Sequence, residues 1–207
     1  MDFQTWLSFA GASFILSLAP GPDNIFVLMQ SVIYGRSAGL KIVSGLCTGL
    51  LVHTLLVAVG VSALIRASET AFFCLKATGA LYLAYLAVMA WKAPSTPMAE
   101  EKGEVKEAMS FSKWWSRGFI MNLTNPKVII FFLAFFPQFL LPRENTEVQI
   151  LMMGLTFIVA TVIVFGAIAC FAEFVREKIS SARVQQIINR TGAVIFMGLA
   201  VSLVFSV

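Results

Sequence analysis

Six blocks of apolar residues, each long enough to cross a bilayer as a helix, take up almost the whole of this 207-residue chain. The hydrocarbon core of a membrane is about 30 Å thick, a distance that takes roughly 20 helical residues. Blocks of that length lie at Leu7–Ile33, Leu40–Ile65, Ala71–Trp91, Gly118–Leu141, Val148–Phe174 and Ile187–Val207. Lipid offers nothing to an open backbone, and the blocks lack the alternation of barrel strands, so each is expected to be a helix. A soluble fold fails on charge. Asp, Glu, Lys and Arg make up 13% of the residues, against about 25% in an average soluble domain, too few for a polar exterior. The expectation is an all-α membrane protein of six transmembrane helices, one transmembrane domain over residues 1–207. It has no soluble domain to carry an enzymatic activity.

The net charge of +4 is read as the positive-inside bias of a membrane protein, not as a nucleic-acid surface. Eleven of the fifteen Lys and Arg residues fall after the first, third and fifth blocks; Arg66, Lys76 and Arg143 lie on the other side, and Lys127 lies inside block four. That distribution predicts a multi-pass protein of the cytoplasmic membrane with both termini outside and the linker 92–113 in the cytoplasm. The linker mixes Pro, Glu, Lys and Ser and reads as a mobile loop. Trp114 and Trp115 follow it and are expected to anchor at the interface. Cys47, Cys74 and Cys170 lie in apolar blocks with no CxxC pair, so they read as small hydrophobes and not as a disulfide or metal set. The N-terminal block has no basic leader and runs into Pro20-Gly21-Pro22-Asp23, so it is expected to be a retained helix, not a signal peptide.

The linker also separates two similar halves, about 1–91 and 114–207. Thr78-Gly79-Ala80 and Leu86-Ala87-Val88 recur at the same spacing as Thr191-Gly192-Ala193 and Leu199-Ala200-Val201. Pro22 before the charged Asp23 corresponds to Pro126 before the charged Lys127. Three spans per half force the second copy to insert upside down, which predicts two inverted three-helix repeats.

Polar chemistry concentrates at two interruptions. Pro20, Gly21, Pro22, Asp23 and Asn24 fall midway along block one, and Asn125, Pro126 and Lys127 midway along block four. Proline removes a backbone donor, and irregular backbone at membrane depth survives only where protein or a cavity covers it. Interrupted segments at matching positions of two halves point to a transporter binding site, although a pair of packing kinks would give the same sequence. Asp23 and Lys127 would each cost about 2.5–3.5 kcal/mol at a helix centre, so each needs a partner. They can pair with each other structurally, or meet the ammonium and the carboxylate of an amino acid. Gly45, Gly49 and His53 share one face of block two. The glycines suit close helix packing, and His53, the only histidine, fits either a proton relay with Asp23 or a hydrogen bond to a neighbouring helix.

The Pro-Gly-Pro-Asp-Asn segment at 20–24, the Asn-Pro-Lys at 125–127 and the run Phe131–Phe139 resemble the LysE/RhtB superfamily of bacterial amino-acid exporters over essentially the full chain. The resemblance implies an inner-membrane exporter, a homodimer that uses the proton gradient as an antiporter and needs no cofactor. Asp23 and Lys127 within the motifs are associated with the homoserine/threonine/leucine-type branch, which argues against lysine or arginine as cargo. The rival is a small cation channel or metal-ion transporter. A divalent ion wants several clustered carboxylates or imidazoles, whereas the blocks offer Asp23 with His53, and no metal site is expected. An intramembrane enzyme lacks HExxH, GxSxG and CxxC, and ATP-driven transport lacks a Walker motif.

Overall fold

Every element is a helix, and no strand occurs among the described residues of the computed structural model, which are 1–67, 69–94, 109–141, 145–172, 174 and 181–205. The first block is two helices. α1 (Phe3–Leu18) starts where the Asp2 carboxylate accepts the Thr5 N–H at 2.8 Å, and α2 (Pro22–Tyr34) restarts at the second proline at an angle of 58°. α3 (Arg36–Ala67) and α4 (Glu69–Lys92) complete the first half. The fourth block breaks in the same way: α5 (Phe111–Thr124) ends at Asn125, and the segment from α6 (Pro126–Ile130) to Phe139 leaves at 51°. α7 (Thr146–Cys170) and α8 (Ala182–Phe205) follow. Four helices are long and apolar enough to cross a membrane, and six spans result if each bent pair is one crossing. The expected spans 1 and 4 are therefore bent at their midpoints. The linker's residues 95–108 lie outside the described part, and with them the expectation of a mobile loop.

Pro137 explains the end of the fourth span. It has no N–H to offer a carbonyl one turn back. The chain widens to a π-helical turn over Phe131–Phe135, with the Phe136 N–H on the Phe131 carbonyl, and then tightens to a 3-10 turn over Phe136–Phe139. Phe131, Phe132, Phe135 and Phe136 are all buried. They join Phe9 and Phe157 in an aromatic core, with Phe9 edge-on to Phe136 at 5.1 Å and Phe131 stacked on Phe157 at 5.0 Å between ring centres.

α3 packs on α5 and α7, α1 on α7, and α4 on α8. Large apolar side chains such as Leu56, Val59, Leu81, Leu155 and Ile163 stand exposed on the outside. That is the surface expected of a bundle whose solvent is lipid. Two buried apolar clusters fill the interior, one around Phe9, Leu50 and Phe132, the other around Ile42, Leu46 and Phe165. Trp114 departs from expectation. It is 2% exposed, packed against Tyr34 at 5.0 Å with the Arg117 guanidinium over its ring, so it is a core residue and not an interfacial anchor. Its neighbour Trp115 donates to Thr48 Oγ1 at 3.2 Å. Cys47, Cys74 and Cys170 are free thiols.

Candidate functional site

In an unbroken helix the carbonyls of Leu16, Ser17 and Ala19 would accept from N–H groups one turn ahead. Pro20 and Pro22 have none, and the chain changes direction at Gly21, so these acceptors need other donors. Side chains from beyond the break supply them. Asn24 Nδ2 donates to the Ser17 carbonyl at 2.8 Å, and Lys127 Nζ donates to the carbonyls of Ala19 at 3.1 Å and Leu16 at 3.4 Å. A Cβ on Gly21 would sit 3.0 Å from that nitrogen, so glycine leaves room for the ammonium. The Lys127 charge thus lies at the C-terminal, negative end of the α1 dipole.

The second break repeats this logic. Pro126 cannot serve the Asn122 carbonyl, which accepts instead from the Asn125 N–H at 3.2 Å and has His53 Nε2 at 3.4 Å. Asn125 caps α6, its Oδ1 accepting the Lys127 N–H at 3.0 Å, while its Nδ2 donates to Asp23 Oδ2 at 2.7 Å. Asp23, in turn, lies in the first turn of α2, where the helix dipole favours a negative charge.

Asp23 and Lys127 are thus brought together, both buried at 2% and 6% exposure, but no direct salt bridge joins them among the described residues. The direct ion pair is replaced by Asn125 on one charge and two backbone carbonyls on the other. Asp23 Oδ1 has no hydrogen-bond partner among the described residues, and neither have Ser17 Oγ, Asn24 Oδ1 or Asn122 Oδ1.

A cavity of about 20 Å³ separates these groups, room for about one water-sized group. Asp23 and Lys127 line it with Ser17, Asn122 and Thr161. Leu16, Leu46, Leu50, Val128, Phe157 and Phe165 form its apolar wall, so the charges sit where the two hydrophobic clusters meet. His53 does not line this cavity; its ring lies against Phe132 at 5.4 Å. A Cβ on Gly45 would strike the backbone of Trp115 and Phe119, which marks close contact of α3 with α5, whereas one on Gly49 would strike the Asn122 side chain. Among the described residues no group of three His, Cys, Asp or Glu is placed to hold a metal.

Sequence does not single out Ser17 or the α7 face of Phe157, Thr161 and Phe165 as site residues, whereas Asn122 opens the polar segment Asn122–Lys127 of the fourth block. The α7 signal was present as one hydroxyl in an aromatic stripe at i, i+4, i+8. No local pattern says that this stripe faces Asp23.

A helical bundle with an apolar outside, two interrupted spans and buried charges at both interruptions defines a multi-pass membrane protein with a polar site at mid-span. The chain belongs to the LysE type translocator family, whose family model matches residues 14–207. It is similar to the homoserine/homoserine lactone efflux protein of Salmonella typhimurium, 33% identical over 197 residues that cover 95% of this chain and 94% of the relative. The leucine efflux protein of Salmonella choleraesuis is 28% identical over 200 residues, 96% of this chain and 93% of that protein. An uncharacterized membrane protein of Vibrio cholerae is 33% identical over 201 residues, 96% and 95% of the two chains. The relatives with assigned activities are efflux proteins and not enzymes. No solved structure matches this chain.

Proposed function

We propose that this protein exports neutral amino acids or close derivatives across the cytoplasmic membrane in exchange for protons. The observation that carries the proposal is the buried carboxylate oxygen Asp23 Oδ1, unpartnered on the wall of a cavity shared with Lys127. A substrate ammonium would meet this oxygen. Lys127 has three N–H donors, two of which the α1 carbonyls take, leaving one for a substrate carboxylate. The wall of Leu46, Leu50, Phe157 and Phe165 suits an uncharged side chain, and the cavity lining offers no second carboxylate for a cationic one. A cavity of about 20 Å³ is smaller than an amino acid, so binding requires the bundle to open at the breaks.

One carboxylate that can serve two ligands supports proton exchange. Asp23 holds either a proton or a substrate ammonium, and a site that must empty of one before taking the other exchanges them. Alternating access would rest on the two inverted three-helix repeats. Supporting this reading, α3 packs on α5 as α7 packs on α1, and the two breaks bend by 58° and 51°. Dimeric assembly and the use of the proton gradient rest on the family resemblance.

Counterflow of labelled threonine, homoserine, leucine and lysine into loaded proteoliposomes tests the cargo class, with exchange of the first three expected and of lysine absent. Asp23→Asn tests the site. The amide can still accept from Asn125, so the variant should insert and melt like wild type yet exchange nothing. Retained exchange at matched protein level would move the site elsewhere.

A further inference from the structure

We infer that Ser17 and Asn122 act with Asp23 as three acceptors for a primary ammonium, so that the site selects an unsubstituted amino group. The inference rests on the reading that Asp23 receives the substrate ammonium, and extends it to specificity. Ser17 is the first sign. Three other buried hydroxyls of the spans bond a carbonyl one turn back: Ser13 to Phe9 at 2.8 Å, Ser31 to Val27 at 2.6 Å and Thr54 to Leu50 at 2.8 Å. Ser17 Oγ makes no such bond and lies on the cavity lining.

Asn122 is the second sign. A Cβ on Gly49 would come within 2.5 Å of Asn122 Oδ1 and 2.8 Å of its Cβ, so the bare backbone at 49 is what seats this amide. Gly49 is then a socket for a site residue, unlike Gly45, which faces helix backbone. The third sign is number and size. Ser17 Oγ, Asp23 Oδ1 and Asn122 Oδ1 are each unpartnered, on residues that are more than nine-tenths buried and that line a cavity fit for one small polar group. An ammonium carries three N–H donors and no acceptor, matching the three oxygens, whereas water carries two donors. An N-methyl group would leave one buried oxygen without a donor.

The test is inhibition of labelled-leucine counterflow by unlabelled leucine and by N-methylleucine, in wild type, Ser17→Ala, Asn122→Ala and Asp23→Asn. Wild type should prefer leucine by at least about tenfold, the worth of one hydrogen bond to a charged group. Ser17→Ala and Asn122→Ala each remove an unmet oxygen and add space, so each should lower that preference several-fold. The ratio is taken within one variant, so differences in protein level cancel. Inactive Asp23→Asn together with an unchanged preference in both alanine variants would overturn this inference alone. Leucine exchange by Asp23→Asn would overturn the reading beneath it.

Discussion

Asn125 serves both breaks at once. Its carbonyl oxygen caps α6 and its amide nitrogen holds one oxygen of Asp23, 102 positions earlier in the chain. A serine or an aspartate can replace the cap with little loss, because both are strong N-cap residues. Neither can donate to Asp23 as the amide does, and aspartate adds a second negative charge beside it. Asn125→Ser should therefore lower exchange moderately, and Asn125→Asp should lower exchange far more and melt below the serine variant in detergent. Equal exchange by the two variants would show that the electrostatics around Asp23 do not limit transport. At this scale the sequence was legible in kind but not in pairing. Asp23 and Lys127 stood out as charges in apolar blocks, and the prolines announced carbonyls in need of donors. Which donor meets which carbonyl depends on a tertiary approach that no local pattern records, so a direct Asp23–Lys127 ion pair was as plausible by sequence as the arrangement found.

Between elements, the closest approach of α3 to α5 is made by glycines on both sides. A Cβ on Gly45 would meet the backbone of Trp115, and one on Gly118 the backbone of Ile42. Backbone cannot rotate away as a side chain can, so Gly45→Ala should push the helices apart and cost about 1–3 kcal/mol, the usual range for overpacking. Gly60→Ala supplies the contrast. Nothing lies within 4 Å of a Cβ there, and alanine is the better helix former by about 1 kcal/mol. Thermal unfolding in detergent should show Gly45→Ala melting well below wild type and Gly60→Ala at or above it. Similar melting of the two would mean that the α3–α5 contact is not tight in solution. The long apolar helices themselves were legible because length and hydropathy are local, and the expected ends agree within a few residues for α3, α4 and α7. The bends and the π-helical turn were not, because proline marks that a helix is interrupted without saying by what angle it resumes. The burial of Trp114 escaped for a related reason: an aromatic next to a charged linker looks the same whether it meets headgroups or Tyr34.

Two ring contacts and a cavity join the segments that carry the basic residues. The Tyr34–Trp114 ring contact joins the end of α2 to the start of α5, and Arg190 over Trp91 joins α8 to the end of α4. Gly35 and Arg36 share a cavity with Cys170 and Phe174 beyond α7. Arg36, Lys41, Lys92, Lys113, Arg117, Arg183 and Arg190 all lie on the segments nearest these contacts. Lys and Arg near span ends are retained on the cytoplasmic side, so these segments are expected to face the cytoplasm and Met1 the outside. Single cysteines read the orientation directly in a background where Cys47, Cys74 and Cys170 are replaced by serine. Gln4 and Ser110 are exposed positions separated by three spans if α1 and α2 make one crossing, which puts them on opposite faces of the membrane. An impermeant maleimide should label Gln4→Cys in intact cells and Ser110→Cys only after permeabilisation. The reverse pattern would invert the protein in the membrane while leaving the bundle as described. Labelling of both in intact cells would mean an even number of crossings between them, and the bent pair of α1 and α2 would then be re-entrant and not a span.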